Sequence, residues 1–313
     1  LGFNAFQGNT VAGAALDSMH IPRIATGIFL AITTGFILFG GIKRITKTSD
    51  IVVPVMAFIY IGLSLLIILM NIGQLPAVIS DIVQNALGLK QAVGGGIGAA
   101  IGQGMRRGLF SNEAGLGSAS NVAATARVKH PIGQGISQAL SVFIDTILIC
   151  SCTAFVILLG SVYQPGVEVD GIALTQQSVA SHVGGWAQYF LTLAILLFSF
   201  SSIIYNYFLG ENGLTFMTEK PTAVLVLRLA TISLVFIGAV APGATSVFFF
   251  SDPLMGVLAL VNLIALLMLF PTFTRVLTDF QQQLKEGKDR PVFDPEKFSD
   301  LNIDHVAWKN WKE

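Results

Sequence analysis

Residues 105–121 place charged and polar side chains within an otherwise apolar chain, where they could bind a solute. The segment reads Met-Arg-Arg-Gly-Leu-Phe-Ser-Asn-Glu-Ala-Gly-Leu-Gly-Ser-Ala-Ser-Asn. Polar side chains occupy consecutive positions from Ser111 to Glu113, so they cannot share one face of a helix. An unwound turn would resolve this conflict and would expose N–H groups to a carboxylate and C=O groups to cations. The segment therefore predicts a helix that is interrupted to form a binding site.

A kinked helix with a purely structural purpose is the alternative interpretation. Gly94, Gly98 and Gly102 recur every four residues before the polar segment, and small residues at this spacing let membrane helices pack closely. Close packing accounts for these glycines. It does not account for the run of polar residues that follows them.

The composition predicts an integral membrane protein whose surroundings are the lipid bilayer. Hydrophobic residues make up 53% of the chain and charged residues only 12%, whereas soluble domains have about 25% charged residues. The net charge of zero argues against a nucleic-acid partner, because no basic surplus can neutralise phosphates. The sequence contains no HExxH, GxSxG or P-loop motif.

Apolar runs of about 20 residues, the length needed to cross a bilayer, predict about eight crossings. A partial span at 1–16 and an interrupted span at 94–127 accompany six continuous ones, at 22–41, 51–72, 137–162, 186–209, 224–240 and 253–275. We expect residues 1–278 to form the transmembrane domain and 279–313 to form a polar cytoplasmic tail. The chain opens inside an apolar stretch, so we expect a fragment that begins within a helix.

Basic residues predict the orientation, because they are retained on the cytoplasmic side. Lys43 and Arg44 follow the span at 22–41, and alternating crossings then place most other basic residues on the same side. The loops at 163–185 and 242–252 contain no Lys or Arg. This distribution predicts a multi-pass protein of the plasma (inner) membrane with a cytoplasmic C-terminus.

Residues 107–119, Arg-Gly-Leu-Phe-Ser-Asn-Glu-Ala-Gly-Leu-Gly-Ser-Ala, resemble the signature of the alanine/glycine:cation symporter family, the sodium:alanine symporters. The segments at 130–135 and 143–146 resemble that family as well. The resemblance implies an all-α, polytopic LeuT-like inverted-repeat fold that is truncated at its N-terminus. It also implies a symporter, not an enzyme, that imports small neutral amino acids such as alanine or glycine with sodium, by alternating access.

The expected substrate-binding residues combine the polar segment with one glutamine from the first helix. They are Gln7, Phe110, Ser111, Asn112, Ala114 and Gly115. Gln7 resembles a cavity-lining glutamine of the family, whereas nearby Asn4 is expected to serve helix packing. The side chain of a small substrate would face Phe110 and Ala114.

The hydroxyl groups of Ser201 and Ser202 are the expected sodium ligands. They match a hydroxyl pair beside one sodium in LeuT-like folds, and sodium prefers hard oxygen donors. The alternative is structural, because serines in membrane helices often donate to a carbonyl group of the preceding turn.

Arg106, Arg107 and Glu113 are expected to act in gating. Glu113 could instead bind the cation or the substrate ammonium group, or pair with one of the arginines. Asp145 could take part in transport. Alternatively, it could have a structural role through a hydrogen bond to a neighbouring helix end or to Arg127. Ionisable groups at membrane depth are costly and usually functional.

Two other functions fit the sequence less well. An ion channel would need a continuous polar lining or a carbonyl filter, whereas one asymmetric break is predicted here. An intramembrane enzyme could use Ser111 and Glu113 for acyl transfer, but no base and orienting residue accompany them at a recognisable spacing.

Overall fold

The computed structural model describes residues 2–40, 43–87, 95–113, 115–164, 171–303 and 308, and the regular elements in these ranges are all helical. The α-helices are α1 (Gly2–Met19), α2 (Arg23–Gly40), α3 (Lys43–Met70), α4 (Leu75–Ala86), α5 (Gly95–Asn112), α6 (Ser118–Ala123), α7 (Pro131–Ile144), α8 (Ser151–Leu159), α9 (Gly171–Val183), α10 (Trp186–Met217), α11 (Pro221–Val240) and α12 (Ala244–Lys285). A π-helical segment, Asp145–Cys150, joins α7 to α8, and a 3-10 helix, Pro295–Phe298, follows α12.

Six helical segments of the described chain are long and apolar enough to cross a bilayer. They are Arg23–Gly40, Val53–Met70, Pro131–Leu159, Trp186–Met217, Pro221–Val240 and Ala244–Lys285. The protein is therefore an all-helical, multi-pass membrane protein. The two less regular spans expected from the sequence, 1–16 and 94–127, fall on α1 and on α5 with α6, which are not among these six.

The chain divides into two compact units. The first comprises Leu1–Met105 and Ile147–Met255, and the second comprises Arg106–Thr146 and Gly256–Glu313. The polar segment after Met105 and the tail after α12 thus belong to the same unit.

Helix α1 is the centre of the first unit, where it packs against α2, α10 and α11. Glycines bring α1 and α11 close together: a side chain at Gly8 would overlap the carbonyl oxygen of Val235, and one at Gly238 would overlap that of Ala5. The amide of Asn9 donates to the carbonyl oxygen of Gly238 at 3.0 Å. This bond adds a second donor to a carbonyl oxygen at the end of α11, which also accepts from the N–H of Ala241.

A buried polar network attaches α9 to the rest of the first unit. The amide of Gln176 donates to Thr192 Oγ1 at 2.8 Å, and the hydroxyl groups of Thr192 and Ser18 lie 2.6 Å apart. The second contact is an apolar cluster between α3, α8, α9 and α10 that includes Ile67 and Val156. Both contacts fix α9 within the first unit.

In the second unit, the segment after α12 folds back onto the start of α7. The backbone N–H of Phe293 donates to the carbonyl oxygen of Lys129 at 2.9 Å. Phe293 and Phe298 are buried together with Ile132 and Val276. The first part of the tail is thus packed in this unit, where it shares an apolar cluster with α7 and α12.

Candidate functional site

The helix is interrupted within the polar segment, where the sequence indicates a break. Helix α5 ends at Asn112 and α6 begins at Ser118. Between them, φ is 50° at Glu113, 78° at Gly115 and 84° at Gly117. Glycine adopts positive φ without a steric penalty, whereas a residue with a Cβ does so rarely and usually at functional sites. Two glycines and one strained glutamate therefore form the turn.

Asn262 of α12 supports this turn from the side. Its amide nitrogen donates to the carbonyl oxygen of Gly115 at 2.9 Å. A Cβ added at Gly117 would lie 2.6 Å from the amide oxygen of Asn262. The turn therefore needs glycine at position 117 for space as well as for its φ angle.

Two hydrogen bonds connect the end of α5 to the junction between α7 and the π-helical segment. The hydroxyl of Ser111 donates to the carboxylate of Asp145 at 2.7 Å, and the hydroxyl of Thr146 donates to the amide oxygen of Asn112 at 2.8 Å. The π-helical segment begins at Asp145, and such segments often occur at functional sites. We refer to Ser111, Asn112, Asp145 and Thr146 as the polar clamp.

The predicted gate consists of Arg106 and Arg107, which lie on α5, and Glu113, which begins the turn. The hydroxyl of Ser118 donates to the Glu113 carboxylate at 2.5 Å, across the interruption. The guanidinium of Arg107 lies 5.7 Å from the centre of the Phe110 ring, a cation–π distance. Arg106 is exposed. A gating role for Arg106, Arg107 and Glu113 stays a prediction.

The other predicted site residues belong to the first unit or are not described. Gln7 is half-buried on α1, and Ser201 and Ser202 are half-buried on α10. The hydroxyl of Ser201 donates to the carbonyl oxygen of Phe198 at 2.7 Å, the local contact expected of serines in membrane helices. Ala114 lies outside the described residues.

Three residues that support the site were not predicted from the sequence: Ser118, Thr146 and Asn262. Asn262 was detectable, because it is a single amide within the apolar run at 253–275. Thr146 follows Asp145, which the sequence did indicate. The pairing of Ser118 with Glu113 depends on the geometry of the turn, which no spacing rule provides.

The site combines groups that suit a small zwitterion. The last carbonyl groups of a helix accept no hydrogen bond within that helix, and within the turn the N–H of Leu116 donates to the carbonyl oxygen of Glu113 at 3.2 Å. The polar clamp adds a carboxylate, an amide and two hydroxyl groups in two hydrogen-bonded pairs. In an apolar environment these contacts are stronger than in water, so they hold the turn in one geometry.

A model of the sodium:alanine symporter family matches residues 1–295. Similar curated proteins include two from Bacillus subtilis (strain 168). The amino-acid carrier protein AlsT is 46% identical over 311 residues, and the probable sodium/glutamine symporter GlnT is 44% identical over 310 residues. The sodium/proton-dependent alanine carrier protein of Bacillus sp. (strain PS3) is 35% identical over 326 residues.

These alignments cover nearly all of the chain but only part of each of the three relatives. AlsT and GlnT each match 99% of this chain, which spans 66% and 63% of their lengths; for the strain PS3 carrier the shares are 98% and 73%. The matched residues contain the interrupted helix and the polar clamp. The chain belongs to the sodium:alanine symporter family.

Proposed function

We propose that this chain is part of a sodium-coupled symporter that imports small neutral amino acids, such as alanine or glycine, by alternating access. The observation that carries the proposal is the interrupted helix, whose turn is held by the polar clamp and by Asn262. Transporters bind solutes at interrupted helices because the helix ends present unpaired backbone dipoles. The proposed activity is transport and not the catalysis of a reaction, which agrees with membership of a symporter family.

The substrate is proposed to bind at the turn between α5 and α6. Its carboxylate would accept from backbone N–H groups near Gly115, and its ammonium group would donate to the carbonyl groups at the end of α5. Phe110 would limit the size of the substrate side chain, together with Ala114. Ser111, Asn112 and Gln7 would supply the remaining polar contacts.

Sodium is proposed to bind at Ser201 and Ser202. Because the Ser201 hydroxyl donates its hydrogen to Phe198, its lone pairs are available to a cation. Sodium binding would raise the substrate affinity, and substrate binding would raise the sodium affinity by the same factor. Opening and closing of the site would involve Arg106, Arg107 and Glu113.

The fold is proposed to be a LeuT-like inverted repeat in the plasma membrane, with the C-terminus in the cytoplasm. The distribution of basic residues supports this orientation, since Lys and Arg concentrate on the side of the tail. The interrupted helix supports the LeuT-like assignment, because inverted-repeat transporters place such helices at the substrate site.

The names of the relatives support the proposal of a cation-coupled amino-acid carrier. They also indicate which substrates should be compared in a transport assay. AlsT is named an amino-acid carrier, GlnT a probable sodium/glutamine symporter and the strain PS3 protein a sodium/proton-dependent alanine carrier. The test is uptake of radiolabelled alanine, glycine and glutamine into liposomes that contain the full-length protein. Inward gradients of sodium, potassium or protons would be applied separately.

Saturable alanine or glycine uptake that requires the sodium gradient is the expected result. Counterflow of labelled alanine against unlabelled alanine should also occur, since a carrier exchanges bound substrate. Ohmic single-channel currents without counterflow would contradict the proposal and favour a channel. Uptake driven by a proton gradient alone would agree with a carrier, but it would show that the coupling ion is the proton and not sodium.

A further inference from the structure

Helix α4 separates its apolar side chains from its polar ones along its whole length. The apolar side chains recur at helical spacing and share one face; they are Leu75, Val78, Ile79, Ile82, Val83 and Ala86. The opposite face carries the polar side chains, which are Ser80, Asp81, Gln84 and Asn85. The sequence of α4 is therefore that of an amphipathic helix.

The described protein covers only one edge of the apolar face of α4. The helix packs against α8, and Leu75 and Val78 are half-buried. Ile79, Ile82 and Val83 remain 44%, 40% and 47% exposed. No residue of α4 is fully buried. An amphipathic helix normally turns its apolar face towards an apolar environment, so this face requires one that the described residues do not provide.

Crossing the bilayer cannot provide that environment, because α4 is too short. Its 12 residues extend over about 18 Å at 1.5 Å per residue, whereas the hydrocarbon core is about 30 Å thick. The helix is also absent from the six segments able to span the membrane. Amphipathic helices that do not span a bilayer can instead lie in its surface, with the apolar face among the acyl chains.

The lipid-facing surface of α3 leads directly into the apolar face of α4. Only 11% of the span Val53–Met70 is buried, and Leu69 at its end is 62% exposed. A turn of four residues then joins α3 to α4. Within this turn Ile72 is 59% exposed, and the Asn71 amide nitrogen lies 3.3 Å from Nδ1 of His182. Polar contacts thus begin where the span ends, which places the start of α4 at the boundary between acyl chains and headgroups.

We propose that α4 binds the surface of the lipid bilayer beside the end of α3, with Ile79, Ile82, Val83 and Ala86 among the acyl chains. The polar face is directed towards the headgroups and water. Asp81 is the only charged residue in the sequence of α4, so this attachment depends on apolar area and not on attraction to anionic lipids. The helix holds the end of α3 at the membrane surface.

The test is a spin-label scan of α4 in the full-length protein, reconstituted into phosphatidylcholine liposomes with its native cysteines replaced. Oxygen concentrates in hydrocarbon, whereas a nickel chelate stays in water, so collision rates with the two reagents locate each label. Labels at Ile79→Cys, Ile82→Cys and Val83→Cys should collide mainly with oxygen. Labels at Gln84→Cys and Asn85→Cys should collide mainly with the chelate. Leu69→Cys on α3 provides the reference for a lipid-facing position.

Two results of the scan would overturn the proposal. Chelate collisions at every position would place the apolar face in water. Exclusion of both reagents from the apolar face would show that protein covers it, either another segment of the full-length chain or a second copy.

A pair of charge substitutions provides an independent measurement, with the label kept at Val83→Cys. Ile82→Glu adds a charge to the apolar face and should lower the oxygen collision rate of this label. Gln84→Glu adds the same charge to the polar face and should leave that rate unchanged. Equal oxygen collision rates in the two variants would contradict contact between the apolar face and the acyl chains.

Discussion

The hydroxyl of Thr146 donates a hydrogen bond of 2.8 Å to the amide oxygen of Asn112, the last residue of α5. Its neighbour Asp145 accepts from Ser111 at 2.7 Å. Two consecutive residues at the end of one helix thus contact two consecutive residues at the start of a π-helical segment. This pairing fixes where α5 stops, because both polar side chains at its end are held from outside the helix.

Replacing Thr146 with valine should weaken amino-acid binding without unfolding the protein. The substitution removes one neutral hydrogen bond, which contributes about 1 kcal/mol, or roughly a fivefold change in affinity. Substrate affinity can be measured by isothermal titration of the full-length protein. Thr278→Val, at an exposed position of α12 where the hydroxyl bonds only to its own helix, is the control. Equal affinities in wild type and Thr146→Val would show that the polar clamp does not shape the site.

Replacing Asn112 or Gly115 with leucine should abolish amino-acid binding while the protein still inserts into the membrane. Leucine at 112 removes the acceptor for Thr146, and leucine at 115 imposes a side chain on a backbone with φ of 78°. Binding and membrane insertion can be measured on the same preparations. Asn85→Leu, on the exposed face of α4, controls for the added apolar surface. Wild-type affinity in Asn112→Leu would remove this segment from the substrate site.

Replacing Gly117 with alanine should destabilise the turn for two separable reasons. The left-handed φ of 84° costs a residue with a Cβ about 1–2 kcal/mol. The new Cβ would also lie 2.6 Å from the amide oxygen of Asn262. Asn262→Ala by itself removes the hydrogen bond to the Gly115 carbonyl oxygen. In the double variant it also removes the steric overlap at position 117, so the loss in unfolding midpoint should be smaller than the sum of the losses in the two single variants. If the effects of the two substitutions on the unfolding midpoint were strictly additive, residues 117 and 262 would not be in contact.

The helical class and the location of the break could be predicted from the sequence. Consecutive polar residues from Ser111 to Glu113 conflict with a single helix face, and the structure ends α5 at Asn112. The length of α12 could not be predicted in the same way. The sequence indicated a span at 253–275 after a loop at 242–252, whereas the helix extends from Ala244 to Lys285, so the loop assignment was wrong. Ser251, Asp252 and Pro253 interrupt the apolar run before the span, and the residues after Arg275 are mostly polar, although all of them are compatible with a helix.

The hydrogen-bond partners of the site residues were harder to predict from the sequence. Asp145 was a candidate with a structural alternative, a bond to a neighbouring helix end, and it accepts from Ser111 at the end of α5. Asn262 was overlooked, although a lone amide in an apolar span is costly and usually has a partner. Contacts between distant segments depend on tertiary packing, and periodicity along the chain does not specify them.

Replacing both Ser201 and Ser202 with alanine should raise the sodium concentration needed for half-maximal uptake more than it changes the maximal rate. Each hydroxyl supplies one of the oxygen ligands that we propose for sodium. Thr215→Val is a matched control on the same helix, because the Thr215 hydroxyl also donates to a carbonyl group of the preceding turn but is exposed. Uptake assays over a sodium series provide the measurement. An unchanged sodium dependence would assign the ion to other oxygens.

Acidification should release the tail from α7, because His130 is buried in a neutral form. Its Nδ1 accepts from the N–H of Ile132 at 3.2 Å and caps α7. Burial lowers the pKa of His130 below its usual value of 6.5, although the Asp279 carboxylate, 3.5 Å from Nε2, favours the charged form. The unfolded chain therefore binds a proton more readily than the folded chain. Stability from this group is complete above pH 6.5 and is lost as the pH falls through the lowered pKa.

Hydrogen exchange at the Phe293 amide, which bonds to Lys129 beside His130, measures this release. After correction for intrinsic exchange rates, protection should decrease as the pH falls below 6.5. Lys297 lies 2.7 Å from Asp279 on the opposite side, and its charge does not change in this range because the pKa of its ammonium group is raised. His130→Asn retains a residue that can cap α7 and removes the titration. Protection in this variant should therefore be independent of pH, and an equal acid-induced loss would assign the effect to another group.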